Sequence, residues 1–342
     1  MTKHRITLKD IAEKLGITVT TVSKALKDYP DISEDTKKKV HALAKKLNYQ
    51  PDSQAVALRG KGSKTIGLII PEIVHYFFSS VINGIMNYAE SNGYRVLITL
   101  SNNRLEMEKK QVNLLFSTKV DGVLVSLANE TKGTKHFDIL KEYDIPVVMF
   151  DKVDNKFHCN KVTIDDCLGG YNATKHLIDS GCQRIAHIRG PKKPLNSIGR
   201  FEGYKKALIE ANMEFDPSLV KECTEVVYDE GYQFCKELLK LPKPPDGIFA
   251  VTDQVGVGAL NALKDAKLNI PEDMKIVGFS DSQIAQVSQP PLTTIHQPGY
   301  EIGETAAKLL IEDIELRKKD PNHMFGAKQI VLDTHLIKRG ST

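Results

Sequence analysis

The sequence predicts a small all-α head followed by a larger α/β domain of two lobes, each built on a doubly wound parallel sheet. Three observations point there. Apolar residues recur at helical spacing through residues 7–47. From residue 64 onward, short apolar runs alternate with helical stripes in two successive series. Charge is divided unevenly: residues 1–64 carry 14 Lys and Arg against 7 Asp and Glu, whereas the remainder carries 33 against 36. A chain of 342 residues is also too long for one compact core.

In the head, Thr7 is placed to cap a first helix, with Asp10 completing a box-like signal three residues on. Leu8, Ile11, Ala12 and Leu15 form its apolar stripe, and Gly16 breaks it. Thr18 is a second N-cap. The next helix is expected over about Val19 to Lys27, burying Val22, Ala25 and Leu26. Its other face carries Thr20, Ser23, Lys24 and Lys27. A third helix starts at Ser33 and buries Val40, Leu43, Ala44 and Leu47. Two short helices around a Gly-containing turn form a helix-turn-helix pattern. A short, polar, cationic second helix suits hydrogen bonding to base edges and phosphates. A merely solvated helix face is the alternative on this pattern alone.

The stretch Thr7-Leu-Lys-Asp-Ile-Ala-Glu-Lys-Leu-Gly-Ile-Thr-Val-Thr-Thr-Val-Ser-Lys-Ala-Leu26 closely resembles the head of the LacI/GalR family of lactose- and purine-repressor-like transcriptional regulators. The likeness continues through Ile32-Ser-Glu-Asp-Thr-Lys37 and Leu47-Asn-Tyr-Gln-Pro51, and then along essentially the whole chain. It implies a DNA-binding regulator, acting as a repressor, that reads a near-palindromic operator as a homodimer. By the same resemblance Val19 and Thr20 choose the operator sequence, with Thr21, Ser23 and Lys24 in the same helix. Lys24 stands where arginine is frequent, and a point charge replaces a planar fork. Thr7, Thr18, Ser33 and Tyr49 are implied phosphate anchors, and Leu8, Lys9 and Lys27 join the DNA-facing set.

The expected division is a head at 1–50, a hinge and linker at 51–63, and an effector-binding and dimerisation domain at 64–342. Pro51 ends the third helix. Asp52 or Ser53 can cap a helix of about two turns before Gly60 and Gly62. So short a helix is marginal alone, which favours ordering against a partner chain and DNA. In the family a hinge leucine wedges open a minor-groove step; Leu58 stands there, with Ala55 beneath it. A plain linker is the other reading.

The first α/β series runs from strand Thr65–Ile70 to strand Ile145–Met149. The second runs from a helix at 168–180 to strand Lys275–Phe279, with a strand near Thr224–Val227 on the way. The N-lobe is expected to hold about 64–163 plus 293–325, and the C-lobe about 164–292 plus 326–340. Ligands of such sheets sit at the carboxyl ends of strands, so the two lobes should share a cleft. The strand ends supply Phe77 and Phe78 (after Pro71, His75 and Tyr76), Asp151, Asp165, Arg200, Phe249, Thr252, Asp253, Ser280 and Asp281. Resemblance makes Arg200 the residue that grips the effector, implied to be a sugar, a sugar derivative or a sugar phosphate. Ser280 stands where relatives carry aspartate, and Lys152 where arginine is frequent. Asp151 and Asp253 could instead be caps, and Phe77 could be core.

Enzymatic readings find little support. No phosphate-binding G-x-x-x-x-G-K-[ST] motif occurs, Gly278-Phe-Ser-Asp-Ser282 lacks the final glycine of a nucleophile elbow, and Gly256-Val-Gly258 lacks a third glycine. The histidines show no zinc-ligand spacing, and Cys159, Cys167, Cys182, Cys223 and Cys235 form no C-x-x-C pair, so free structural thiols are expected rather than a metal or catalytic site. No cofactor is expected. No apolar stretch is long enough to cross a bilayer, and the N-terminal residues lack a signal-peptide pattern; a cytoplasmic protein is expected. A periplasmic-type sugar-binding protein shares the two-lobed architecture but would lack the head and hinge. Leu58→Ala is expected to lower operator affinity and DNA bending in a gel-mobility bending assay; unchanged bending would identify a plain linker.

Overall fold

The computed structural model describes residues 6–49, 62–74 and 76–342. The chain divides into two compact units, 1–63 and 64–342. The hinge positions Ala55 and Leu58, and His75, lie outside the described residues.

In the first unit, α1 (Leu8–Leu15), α2 (Val19–Ala25) and α3 (Glu34–Lys46) close on one small core of Ile11, Ala12, Val22, Ala25, Val40 and Ala44. Each helix begins at a hydroxyl cap. Thr7 Oγ1 accepts from the Asp10 N–H, while Asp10 accepts from the Thr7 N–H at 2.7 Å, a reciprocal box. Thr18 accepts from the Thr21 N–H and Ser33 from the Thr36 N–H. Such caps contribute about 1 kcal/mol each. Gly16 ends α1 in the left-handed region at φ 63. Helix α2 stops at Ala25 rather than Lys27. Asp28 takes φ 53, and the Tyr29 N–H turns back to the Lys24 carbonyl, which closes the helix early.

The second unit holds two six-stranded sheets. In the N-lobe they are β1 (Thr65–Ile70), β2 (Arg95–Leu100), β3 (Gly122–Val125), β4 (Val147–Phe150), β5 (Asn160–Ile164) and, late in the chain, Gln329–Leu332. The order β2-β1-β3-β4-β5 continues into 329–332, and every pairing is parallel. Helix α4 (Tyr76–Ser91) follows β1 and α5 (Leu105–Ser117) follows β2. A short helix, α6 (Asp138–Glu142), precedes β4. The C-lobe repeats the plan with α7 (Asp166–Asp179), β6 (Ile185–Arg189), α8 (Leu195–Glu210), β7 (Val220–Glu222), α9 (Tyr228–Leu239), β8 (Gly247–Ala250), α10 (Asp253–Asp265), β9 (Lys275–Ser280), α11 (Gln283–Val287) and β10 (Thr293–His296). Its order is β7-β6-β8-β9-β10, with His335–Ile337 added antiparallel at the edge. Helix α12 (Gly299–Lys319) then packs against α4 and the N-lobe strands.

Strand pairing moves two segments relative to the expected lobes. Thr293–His296 pairs with β9 and belongs to the C-lobe, while 329–332 pairs with β5 and belongs to the N-lobe. The chain therefore crosses between lobes at 165, 297–298 and 333–334. The strand expected near Thr224–Val227 lies earlier, at Val220–Glu222. The β-branched run is a loop because the Glu230 carboxylate accepts from the N–H groups of Thr224, Glu225, Val226 and Val227, at 2.6–3.4 Å. A side chain thus replaces the ladder partner that a strand would need.

Three helix pairs hold the layers, and each is joined through two glycines. A Cβ on Gly84 of α4 would lie 2.1 Å from the Tyr300 carbonyl of α12, and one on Gly303 would lie 2.1 Å from the Val81 carbonyl. The same reciprocity joins α7 to α8 through Gly170 and Gly203, and α9 to α10 through Gly231 and Gly258. The obstacle is backbone and cannot rotate away. Gly303→Ala is expected to lower stability by about 3 kcal/mol, the upper end of over-packing costs. Gly133→Ala, with open space around the position, should stay within about 0.5 kcal/mol; chemical denaturation of both variants checks this.

Candidate functional site

On the head, the predicted residues gather around the N-termini of the helices and along α2. Val19 is 41% exposed, although it is apolar and its neighbours Val22 and Ala25 are fully buried. Thr20 and Lys27 are exposed beside it, Thr21 and Ser23 are half-buried, and Lys9 is exposed on α1. Thr7, Thr18 and Ser33 are all exposed caps. Leu8 and Tyr49 are half-buried against the head core. Lys24 forms an ion pair with Asp31, which holds the Asp31 carboxyl below its usual range.

In the large unit a cavity of about 310 Å³ opens at the carboxyl ends of both sheets, at the lower end of the roughly 300–1,000 Å³ typical of small-molecule sites. Phe77, Phe78, Asp151, Arg200, Thr252, Asp253 and Ser280 all line it. Arg200 stands in α8 at the close contact with Gly170 of α7, and is 4% exposed. Its Nε donates to Asp166 Oδ1 at 2.9 Å and its Nη1 to the Val251 carbonyl at 2.8 Å. The guanidinium lies 3.6 Å over the Phe279 ring. Burial pushes the Asp166 carboxyl up to about 6 against the opposing pull of Arg200.

Asp151 follows β4 directly, at φ 56. It accepts from the Ser126 hydroxyl and, across the cleft, from the Asn196 amide of α8, both at 3.1 Å. Lys152 beside it donates to the side-chain carbonyls of Asn129 at 2.6 Å and Asn103 at 3.1 Å. Burial holds its ammonium below the usual lysine range, although the Asp151 and Glu72 carboxylates pull the other way. Thr252 caps α10 by accepting from the Val255 N–H. Asp253 is 1% exposed and accepts from Thr294 Oγ1 (2.5 Å), the Ser282 N–H (2.6 Å) and Ser282 Oγ (2.9 Å). It ties β10 and the loop after β9 to α10. Val226 and Ser280 on the cavity wall take φ 61 and φ 111. Left-handed strain at non-glycine residues concentrates at functional sites.

Three predicted residues are not among those lining the cavity. Asp165 turns to the start of α7, accepting from the Leu168 N–H at 2.8 Å, and the next residue, Asp166, is the one that reaches Arg200. Phe249 lies mid-strand, fully buried, stacked on His187 with centroids 4.4 Å apart. Asp281 turns away to Arg339 (2.5 Å) and His296 (3.3 Å) near the crossovers. Sequence reasoning left Asn129, Asn196, Ser197 and Gln297 out of the cavity set. They sit on loops or first turns, where amides and hydroxyls ordinarily serve as caps. The consecutive acids Asp165 and Asp166 at a helix start did carry a signal, since one residue suffices for a cap.

The five cysteines are free, and burial raises every thiol, Cys159 and Cys182 to about 11 and Cys235 to about 12. Among the described residues no group of three or more His, Cys, Asp or Glu side chains could hold a metal ion, and no helix is long and apolar enough to cross a membrane.

Residues 7–52 match the family model of bacterial regulatory proteins of the lacI family, and residues 174–342 match a periplasmic binding protein-like domain. The HTH-type transcriptional regulator RegA of Clostridium saccharobutylicum is 33% identical over 340 residues, covering 98% of each chain. Among solved structures, the Lac repressor dimer bound to operator and the anti-inducer ONPF superposes with a TM-score of 0.84, at 25% identity and 99% coverage of both chains. The transcriptional regulator CelR in complex with cellobiose gives 0.73, at 28% identity over 99% of this chain and 100% of that one. The chain belongs to the lacI family of bacterial regulatory proteins: it is a DNA-binding transcriptional regulator and not an enzyme.

Two buried acids give this site a pH signature. Burial raises Asp253, like Asp166, to about 6 from an ordinary value of 3.8. Between these values the folded chain binds more protons than the unfolded chain. Their contribution to stability is therefore full below about pH 4 and is lost as pH rises through 6. Asp253→Asn should flatten the fall in melting temperature between pH 4 and 6 relative to the parent; an unchanged slope would contradict the assignment.

Proposed function

We propose that two copies of this chain repress transcription in the cytoplasm by binding a near-palindromic operator, under control of a sugar or sugar derivative held between the lobes of the large domain. The observation that carries the reading is the cavity itself. It lies where two parallel sheets present their carboxyl ends, and it is floored by a buried arginine with donors to spare. The relatives add support: one was solved with cellobiose, another as a dimer on operator DNA.

On the head, Val19 and Thr20 are the proposed base-reading residues, with Thr21, Ser23, Lys24 and Lys27 along the same helix. Thr7, Leu8, Lys9, Thr18, Ser33 and Tyr49 are the proposed backbone contacts, and Ala55 and Leu58 the proposed minor-groove pair. Helix N-termini favour phosphate because unpaired N–H groups and the dipole both face it. One head offers few contacts, so two are needed for a specific site. A ligand that bridges the lobes shifts operator affinity only by its differential affinity for the two lobe arrangements.

Phe77, Phe78, Asp151, Arg200, Thr252, Asp253 and Ser280 are the proposed effector shell, with Asp253 positioning the wall rather than touching the ligand. Arg200→Ala should abolish the response of operator binding to ligand while the unliganded protein still binds DNA. Thr20→Ala should change the base preference, and Tyr49→Phe should weaken all sequences alike. Binding across an operator library, with and without a sugar panel, reads all three. An unchanged preference profile in Thr20→Ala refutes the head assignment, and a normal response in Arg200→Ala refutes the cavity map.

A further inference from the structure

We propose that Asp121 and Glu315 clamp Lys64, the residue at which the chain enters the N-lobe, and that this clamp delivers a ligand-driven movement of the lobe to the chain preceding it. This rests on the reading of the cavity as the effector site and assigns the step by which that site reaches DNA binding.

Lys64 opens the second compact unit, directly before β1. It takes φ 49, in the left-handed region that a residue with a Cβ keeps only where its surroundings over-determine it. Here they do so at every handle. The Lys64 N–H donates to Asp121 Oδ2 at 3.0 Å, and its carbonyl accepts from the Arg95 N–H at 2.9 Å. Its ammonium donates to Glu315 Oε1 at 2.8 Å and lies 4.1 Å from the centroid of the Tyr94 ring. The same Glu315 oxygen accepts from the Tyr94 hydroxyl at 2.6 Å and from Lys318 at 3.2 Å. Tyr94 is 4% exposed, so the clamp is seated in the body of the lobe. Hydrogen bonds from Lys64 and Tyr94 hold the Glu315 carboxyl down at about 2, which keeps it charged at any working pH.

Glu315 also stands at the far end of the element that leaves the cavity. Gln297 lines the cavity, is buried, and accepts from Ser280 Oγ at 3.2 Å. Helix α12 starts at Gly299 and reaches Glu315 after roughly 24 Å of helix. The backbone contact of Gly303 with Val81 fixes its path. A helix held in this way moves as a rod, and Glu315 ties the end of that rod to Lys64. Without the tie, the two soft backbone dihedrals of Lys64 form a pivot, and a reorientation of the lobe dissipates there.

The test uses full-length protein and a duplex selected from an operator library on the parent. Calorimetry with glucose, ribose, cellobiose and adenosine identifies a cavity ligand, and operator affinity is then measured with and without it. Parent operator affinity should change about ten-fold or more on ligand addition. Glu315→Ala and Lys64→Gly should reduce that change to about two-fold or less, while the DNA-free variants bind the ligand as the parent does. Glycine takes φ 49 without strain, so Lys64→Gly removes the clamp and leaves the fold intact. Arg317→Ala breaks a different ion pair of α12, that with Asp144, and should keep the parent's response. A full response in either clamp variant overturns the proposal and leaves the effector reading standing. An equal loss in Arg317→Ala, or loss of ligand binding in the clamp variants, does the same. A parent that binds none of the four compounds, or binds one with no change in operator affinity, overturns the effector reading itself, and this proposal with it.

Discussion

Arg200 is a full positive charge almost completely removed from water, and the C-lobe is arranged around keeping it so. Its backbone is pressed against Gly170 of the neighbouring helix, where a Cβ would come 2.3 Å from the Arg200 carbonyl oxygen. That close approach brings Asp166, one turn earlier on α7, beside the guanidinium. The Val251 carbonyl at the end of β8 and the Phe279 ring of β9 complete the enclosure. Four elements therefore converge on one side chain. Removing either partner of such a pair typically costs about 3–5 kcal/mol because a lone buried charge remains.

Much of this was legible in the residues. The caps Thr7, Thr18 and Ser33 declared the head, because hydroxyls before apolar stripes have few other uses at those positions. Strands such as Thr65–Ile70 were equally plain, since buried parallel strands are continuous apolar runs. Arg200 followed from family likeness. Three things were hidden. The acid that pairs with Arg200 stands beside the one that caps the helix, and only the three-dimensional path separates Asp166 from Asp165. The segment Thr224–Val227 has strand composition, yet a single carboxylate, Glu230, captures its N–H groups. The late crossovers depend on whether 293–296 and 329–332 find their neighbours in one sheet or the other, and both segments have the same β-branched character.

The head uses a small set of groups twice. Hydroxyls that fix where each helix begins also lie at the helix N-termini, so folding and the proposed phosphate contacts would draw on the same atoms. Lys24 is similarly placed: it sits on the second helix and pairs with Asp31 in this structure. An exposed pair of this kind contributes little to stability and is readily exchanged for another acceptor, which makes it compatible with a role at a polyanion.

The glycine-paired helices determine how the large domain can deform. Contacts between side chains can re-seat by changing rotamers, which is how packed helices slide past one another. Where main chain meets main chain at van der Waals distance there is no such slack, and Gly84 with Gly303, Gly170 with Gly203, and Gly231 with Gly258 leave none. Each lobe is thereby a stiff block. Movement of one lobe against the other would then fall on the crossovers at 165, 297–298 and 333–334, and the second of these leads into α12, whose first turns carry the contact to α4. Any torque delivered to the crossover at 297–298 passes directly into the helix that follows the first strand of the N-lobe.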